Sequence, residues 1–227
     1  MQFERVTGSA ASLFAAPWPT DLTRRAVRCI TVDAPTIVVG NSQPAVPDVG
    51  VAVVKRRSGG GAVWLDDDMV WFDVWVPTSD PCWSADVGRA SWWIGDVATS
   101  VLASFGLTGL VTHRGAMVLH SRSRDVCWLG LGAGEVHDAG GRKVVGIAQR
   151  RMQAGALFQV GVLLAPSQWR LGVLAGPPID ADVIAAVELG CGFDREALST
   201  RLGEVLTGSF GFGRESAWAA GSVPRDR

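Results

Sequence analysis

The stretch RRSGGGAV, residues 56–63, places two arginines and a serine before three consecutive glycines. Apolar runs lie directly on either side and predict strands, which argues against a flexible linker. A phosphate-binding P-loop is also excluded, because Ala62 and Val63 stand where that loop needs a lysine followed by serine or threonine. Two interpretations remain. The stretch is a turn with two solvated arginines, or a loop whose backbone N–H groups and arginines contact an extended anionic ligand.

The segment GGRKVVGIAQRR, residues 140–151, is the second unusual feature. Lys143 opens an apolar strand after a turn glycine, and Gly146 follows three residues later. On its own, a lysine in this position is an exposed charge at the edge of a sheet more often than a functional group.

Together, the two segments resemble the biotin/lipoate protein ligase and octanoyltransferase superfamily, and more closely its lipoate-protein ligase branch. That branch carries an RRxSGGGAV-like loop, matched by residues 56–63, and a later GxKxxGxAxRR-like segment, matched by residues 141–151. The strand LFQVGVLL, residues 157–164, and the stretch PTIVVGNSQP, residues 35–44, fit the same order. The resemblance spans residues 35–164.

The order of predicted elements is helix, strands, helix, strands, helices, which indicates an α+β fold. We expect a mixed β-sheet with helices packed mainly on one face. The resemblance implies the same architecture, that of class II aminoacyl-tRNA synthetases and biotin ligases. Neither the length of 227 residues nor the composition marks a domain boundary. Residues 1–227 are therefore expected to form a single catalytic-type domain without a C-terminal accessory domain.

The resemblance implies acyl transfer to a lysine of a lipoyl carrier domain, through lipoyl-AMP made from lipoate or octanoate with ATP and Mg²⁺. Lys143 matches the family lysine and would stabilise charge that develops in the transition state. An apolar tunnel for the acyl chain is expected near Trp64, Val70 and Val145. The residues expected to bind the substrate or adenylate are Arg56, Arg57, Ser58, Gly59, Gly60, Gly61, Ala62, Val145, Gly146, Ala148 and Gln159.

A departure from the ligase pattern and a cysteine at the spacing of a different branch leave other mechanisms open. Many lipoate ligases continue the glycine loop with His-Asp-x-Gly-Asn, but residues 65–69 read LDDDM here. Cys127 lies about sixteen residues before Lys143. In one octanoyltransferase branch, a cysteine with this spacing takes the acyl group from acyl carrier protein as a thioester. Cys127 is equally compatible with an inert thiol in a buried strand. A third alternative is a homologue that binds lipoate or acyl-AMP without transferring it.

The composition excludes several classes of binding partner. The net charge of −1 gives no field that would attract nucleic acid or an anionic membrane. The chain has neither a signal peptide nor an apolar run of membrane length, so a cytoplasmic location is expected. The four cysteines and three histidines show no metal-binding spacing. The expected acceptor is a lipoyl domain of a 2-oxoacid dehydrogenase complex or the glycine cleavage H protein, with acyl carrier protein as donor in the cysteine-dependent route.

Overall fold

The computed structural model describes residues 2–16, 23–43, 50–164 and 194–208. The helices are α1 (Ala10–Ala15), α2 (Trp92–Ser104) and α3 (Arg195–Leu206), with a 3₁₀ turn at Cys127–Leu129. The strands are β1 (Gln2–Gly8), β2 (Ala26–Val32), β3 (Thr36–Val39), β4 (Ala52–Lys55), β5 (Val63–Leu65), β6 (Met69–Pro77), β7 (Val111–Thr112), β8 (Val136–His137), β9 (Lys143–Met152) and β10 (Gly155–Leu163).

The strands form two sheets. The large sheet has seven strands in the order β1-β2-β6-β10-β9-β8-β7, with β1 and β2 parallel and the other pairs antiparallel. The small sheet has the order β4-β3-β5, parallel between β3 and β4 and antiparallel between β3 and β5. Helices α2 and α3 pack together on one face of the large sheet. The predicted α+β class, with a mixed sheet and helices mainly on one face, is confirmed.

Strand β6 shows how the sequence specifies the two layers. All nine of its residues are buried. Successive side chains of a strand point to opposite faces. Accordingly, Val70, Phe72 and Val74 enter the core beneath the helices, whereas Met69 and Trp71 enter the core between the two sheets. A strand covered on both faces needs an uninterrupted apolar run, and β6 departs from one at Asp73.

The helix ends follow local chemistry. The Ser9 hydroxyl accepts from the main-chain N–H of Ser12 at the start of α1, and Asp194 accepts from two main-chain N–H groups at the start of α3. Helix α2 ends before Gly106, whose φ of 89° suits a glycine beyond a helix C-terminus. These three helices were predicted. A fourth, predicted around residues 177–189, lies outside the described residues.

One predicted pairing is wrong. The sequence pattern on either side of Asp66 to Asp68 indicates a hairpin, and a turn is present, since Met69 N donates to Asp66 O at 3.2 Å. However, β5 pairs with β3 in the small sheet, while β6 pairs with β2 and β10 in the large sheet. The turn therefore carries the chain from one layer to the other. No described helix is both long enough and apolar enough to cross a bilayer.

Candidate active site

Arg56 closes the glycine loop on itself. The residue is 1% exposed although it carries a charge. Its guanidinium donates to the carbonyl oxygens of Val38 (3.1 Å), Gly59 (2.7 and 3.1 Å) and Gly61 (2.9 Å), and to the Ser58 hydroxyl (3.2 Å). A buried guanidinium is tolerated only when its donors are satisfied in this way. Arg56 therefore holds the shape of the loop, rather than reaching outwards to a ligand.

The loop requires glycine at two positions. Gly60 has a φ of 99°, in the region that residues with a side chain rarely adopt. A Cβ on Gly61 would lie 2.8 Å from the main-chain nitrogen of Cys127. This close approach is reinforced by backbone bonds, because Ala62 N donates to Asp125 O at 2.8 Å and Cys127 N donates to Ala62 O at 3.0 Å. The glycine loop and the 3₁₀ turn are thus in direct contact.

A buried polar chain runs from the loop into the large sheet. The Ser58 hydroxyl donates to Oε1 of Gln159 at 2.6 Å, and Nε2 of Gln159 donates to Oδ1 of Asp73 at 3.2 Å. The indole of Trp71 donates to the same carboxylate oxygen at 3.1 Å. Ser58, Gln159 and Asp73 are each at most 4% exposed. These hydrogen bonds explain why β6 carries an acid, Asp73, within its apolar run.

Arg57 lies at the edge of the site and is half-buried. Its Nη2 donates to the carbonyl oxygens of Ala15 and Ala16 at 2.9 and 2.7 Å, which ties the loop to the C-terminus of α1. Within the described part of the chain, its Nε and Nη1 have no hydrogen-bond partner. Of the two arginines, Arg57 is therefore the one with donors left for an anion.

Lys143 is buried, contrary to the expectation for a lysine at a sheet edge. Its side chain is 4% exposed, and Nζ lies 2.7 Å from Oε2 of Glu135. Nζ also donates to the carbonyl oxygen of Cys127 at 2.8 Å. These contacts bring together the two residues to which catalytic roles were assigned, although they are joined through the main chain of Cys127 and not through its thiol.

The turn before Lys143 is held by Asp138. Its carboxylate accepts from the main-chain N–H of Arg142 at 2.9 Å and pairs with the guanidinium of the same residue at 2.7 Å. Burial alone would raise the pKa of Asp138, but the Arg142 main-chain N–H and guanidinium outweigh burial, so this pKa lies below its ordinary value. Gly141, at φ 78°, completes the turn.

An apolar cleft lies between the two sheets, where the motifs meet. In this conformation its cavity volume is about 20 Å³, enough for about one water molecule. Gly146 and Gly161 are paired across β9 and β10, and the Trp128 ring lies over both, 3.7 Å from the position of a Cβ on either. The lining residues are Arg56, Val63, Trp71, Cys127, Trp128, Gly146, Ile147, Ala148, Gln159 and Gly161.

The tunnel residues expected from the sequence are each one position away from a residue that lines the cleft. Trp64, Val70 and Val145 were expected, but Val63, Trp71 and Gly146 line it instead. Val70 and Val145 pack into the core beneath the helices, and the Trp64 indole donates to Asp66 at 2.7 Å. Because side chains alternate along a strand, a one-residue error in the facing of a strand moves a side chain to the opposite face.

Cys127 was expected in a buried strand, but it begins the 3₁₀ turn and is half-buried. It is one of the residues that line the cleft. Nη2 of Arg56 donates to Sγ at 3.9 Å, and a Cβ on Gly60 would lie 3.5 Å from Sγ. The other described cysteines, Cys29 and Cys82, lie away from the cleft, and burial raises the pKa of both thiols.

Glu135, Trp71, Asp73 and Trp128 were not predicted as site residues. Glu135 and Asp73 carried a usable signal, because each is an isolated acid in an otherwise apolar segment. A carboxylate is rarely placed in such surroundings unless it is paired or hydrogen-bonded.

Comparison with known families identifies the fold and the class. The model of the lipoyl protein ligase A/B catalytic domain matches residues 21–175, more than half of the chain. The protein therefore belongs to the lipoyl protein ligase A/B catalytic domain family. No curated protein matches the sequence.

Solved structures share the fold at low sequence identity. The chain is similar to lipoate-protein ligase A bound with ATP, at 18% identity and a TM-score of 0.62, over 81% of this chain and 72% of the other. It is similar to a bipartite lipoate protein ligase from Thermoplasma acidophilum, at 16% identity and a TM-score of 0.64, over 91% of this chain and 82% of the other. It is also similar to LipL1 of P. falciparum in complex with lipoate, at 15% identity and a TM-score of 0.63, over 100% of this chain and 63% of the other. At these identities the likeness establishes the fold.

Proposed function

We propose that this protein transfers an eight-carbon acyl group to a lysine of a lipoyl carrier domain, by way of a thioester on Cys127. One observation carries the thioester route: Cys127 is among the residues that line the apolar cleft where the glycine loop meets the Lys143 strand.

The reaction has two balanced steps. The Cys127 sulfur attacks the carbonyl of an acyl thioester, the S-acyl bond of Cys127 forms, and the donor leaves as its free thiol. The amine of the carrier lysine then attacks the new thioester. An amide forms, the Cys127 sulfur leaves, and a proton from the amine restores its thiol. The donor is already activated, so neither step consumes ATP.

The surrounding residues have distinct roles in this proposal. Ala148, Val63 and the Trp128 ring would form apolar walls for the acyl chain beside the paired glycines Gly146 and Gly161. Arg56 holds the glycine loop beside Cys127, with Nη2 3.9 Å from Sγ.

The second candidate is an ATP-dependent lipoate-protein ligase, which the motif resemblance favours. Lipoate would attack the α-phosphate of ATP to give lipoyl-AMP and pyrophosphate, and the carrier lysine would then release AMP. Among the described residues, Arg57 supports this candidate, because its Nε and Nη1 have no partner there. Arg57 and the main-chain N–H groups of Gly59 and Gly60 would hold the phosphate. Mg²⁺ would enter with the triphosphate.

The acceptor in both routes is a lipoyl domain, of a 2-oxoacid dehydrogenase complex or of the glycine cleavage H protein. One structure that shares the fold was determined as a ligase together with its E2 lipoyl domain, which supports an acceptor of this class. For the thioester route, acyl carrier protein is the proposed donor.

A matched pair of cysteine variants separates the routes. We expect wild-type protein mixed with an octanoyl thioester to gain one octanoyl group on Cys127 by intact mass and peptide mapping. The group should then move to an added lipoyl domain. Cys127→Ala should lose both steps, and Cys82→Ala should lose neither. Lipoylation by Cys127→Ala that requires ATP and lipoate would overturn the thioester route in favour of the ligase. Binding of lipoate or acyl-AMP without any transfer would indicate a non-catalytic homologue.

A further inference from the structure

Glu135 is a buried carboxylate to which none of the roles above has been assigned. It is 4% exposed and has three hydrogen-bond donors around it. Oε2 accepts from the main-chain N–H of Gly132 at 2.5 Å and pairs with Nζ of Lys143 at 2.7 Å. Oε1 accepts from the main-chain N–H of Ile147 at 3.0 Å. Two rigid main-chain donors, one before the turn and one within β9, therefore fix the carboxylate from opposite ends.

The ammonium of Lys143 is fixed in turn. An ammonium has three N–H donors. One pairs with Glu135, and a second donates to the carbonyl oxygen of Cys127 at 2.8 Å. One donor remains. Because both acceptors are themselves anchored, the position of Nζ follows from the position of the Glu135 carboxylate.

This pair lies directly behind the cleft. Gly146 lines the cleft, and a Cβ on it would be 3.7 Å from both Cδ of Lys143 and Oε1 of Glu135. The aromatic ring of Trp128, another lining residue, has its centroid 5.9 Å from Nζ. At residue 146, therefore, the Lys143 stem and the Glu135 carboxylate lie directly behind the cleft.

Separating the Lys143 ammonium from the Glu135 carboxylate costs free energy. The side chains of Lys143 and Glu135 are 4% and 6% exposed, so the removal of either partner leaves an uncompensated buried charge. An anionic substrate that approached Nζ would also approach the Glu135 carboxylate and be repelled by it. A neutral acyl thioester meets no such repulsion. The pair therefore favours an uncharged, preactivated acyl substrate.

We propose that Glu135 is a positioning residue for acyl transfer. It holds Lys143 against the Cys127 carbonyl and leaves one ammonium donor for the carbonyl oxygen of the acyl group on Cys127. The assignment rests on the thioester route proposed above. It adds that Glu135 acts through Lys143 and contacts no substrate itself.

The first test is Glu135→Gln, which keeps the shape of the side chain and removes its charge. We expect kcat for octanoyl transfer to fall by about tenfold to a hundredfold, the cost of a misplaced catalytic group. KM for the thioester should change little, because the walls of the cleft are unaltered. Asp80→Asn is the matched control, since it breaks another largely buried ion pair, Arg25–Asp80 at 2.6 Å, away from the cleft. The control should lose stability but keep kcat.

A double-mutant cycle tests whether Glu135 acts through Lys143. The readout is the rate of Cys127 alkylation by iodoacetamide, followed by peptide mapping, which requires no turnover. Glu135→Gln and Lys143→Gln should change this rate by a similar factor, and the double variant should match Lys143→Gln within about twofold. Should Glu135→Gln not fold, Glu135→Asp takes its place, because it keeps the charge and shortens the reach.

The outcomes separate this inference from the function on which it rests. Wild-type protein that forms no octanoyl-Cys127 contradicts the proposed function, whatever the variants do. Wild-type transfer with an unchanged kcat in folded Glu135→Gln overturns the positioning role alone. Alkylation factors that multiply in the double variant also overturn it, because they indicate that the two residues act independently.

Discussion

The hydroxyl of Ser58 donates to Oε1 of Gln159 across 2.6 Å, and this bond joins the glycine loop to β10, 101 residues further along the chain. Both residues were expected to bind the substrate. Because each satisfies the other, the bond sets the distance between the two walls of the cleft.

Ser58→Ala should destabilise the protein, because Oε1 of Gln159 is left buried without its donor. The expected loss is about 1–3 kcal/mol in the free energy of unfolding. Urea denaturation measures it, with Ser84→Ala as the comparison, since Ser84 is half-buried and its hydroxyl bonds, among the described residues, only to the main chain of nearby Asp86. An unchanged midpoint for Ser58→Ala would show that this bond contributes nothing to stability.

Gly61→Ala should disrupt both the fold of the loop and acyl transfer. The new methyl group would lie 2.8 Å from Cys127 N and 2.9 Å from Ser123 O, so either the loop or the 3₁₀ turn must move. Gly59→Ala is the control, since no atom lies within 4 Å of its added Cβ. Thermal unfolding and Cys127 acylation should be impaired for Gly61→Ala only. Equal behaviour of the two variants would contradict the described contact.

The order in which the thiols react should follow their surroundings. Burial raises the pKa of Cys29 and Cys82, so less of the reactive thiolate is present at neutral pH. Cys127 is half-buried at the cleft and should be alkylated before either of them. Timed iodoacetamide labelling with peptide mapping gives the order. Faster labelling of Cys29 than of Cys127 would indicate that the cleft is closed to small electrophiles.

Asp138→Asn should weaken the turn before Lys143 in a pH-dependent way. The folded pKa of Asp138 lies below the ordinary value of 3.8, so its ionised form stabilises the fold above that pH. The stabilisation is lost as the pH falls through the lower folded pKa. The variant should therefore unfold at a lower temperature than wild type at neutral pH, by a few degrees, and the difference should shrink in acid. A constant difference would point to the main-chain bonds alone.

Local patterns predicted much of this fold. Asp194 predicts the start of α3 because capping depends on residues close in sequence. The α+β class followed from the order of elements. The pairing of β5 with β3 was not predictable in this way, since a turn at Asp66 to Asp68 fits both a hairpin and a passage between layers. Only the packing of the two sheets distinguishes them.

The sequence motifs predicted which segments form the candidate site, but not the side-chain contacts within it. Arg56 and Val63, at the two ends of the glycine stretch, and Gly146 of the Lys143 strand line one cleft, and Lys143 is buried behind it. The role of Arg56 was misjudged, because its burial depends on carbonyl groups of Val38 and Gly61 that the loop brings together only when folded. Glu135 was missed because its partners, Gly132 and Ile147, contribute main-chain groups, which leave no mark in the sequence. The catalytic assignments of Lys143 and Cys127 stay predictions.

The backbone bonds between Ala62 and Cys127 have a consequence for engineering. Residues 56–63 and the 3₁₀ turn are separated by a helix and several strands, yet they are joined by main-chain hydrogen bonds and by a contact that tolerates no side chain on Gly61. They form one transplantable unit. A chimera that takes its glycine loop from a relative must take the matching cysteine turn as well, or the thiol will face a loop of the wrong shape.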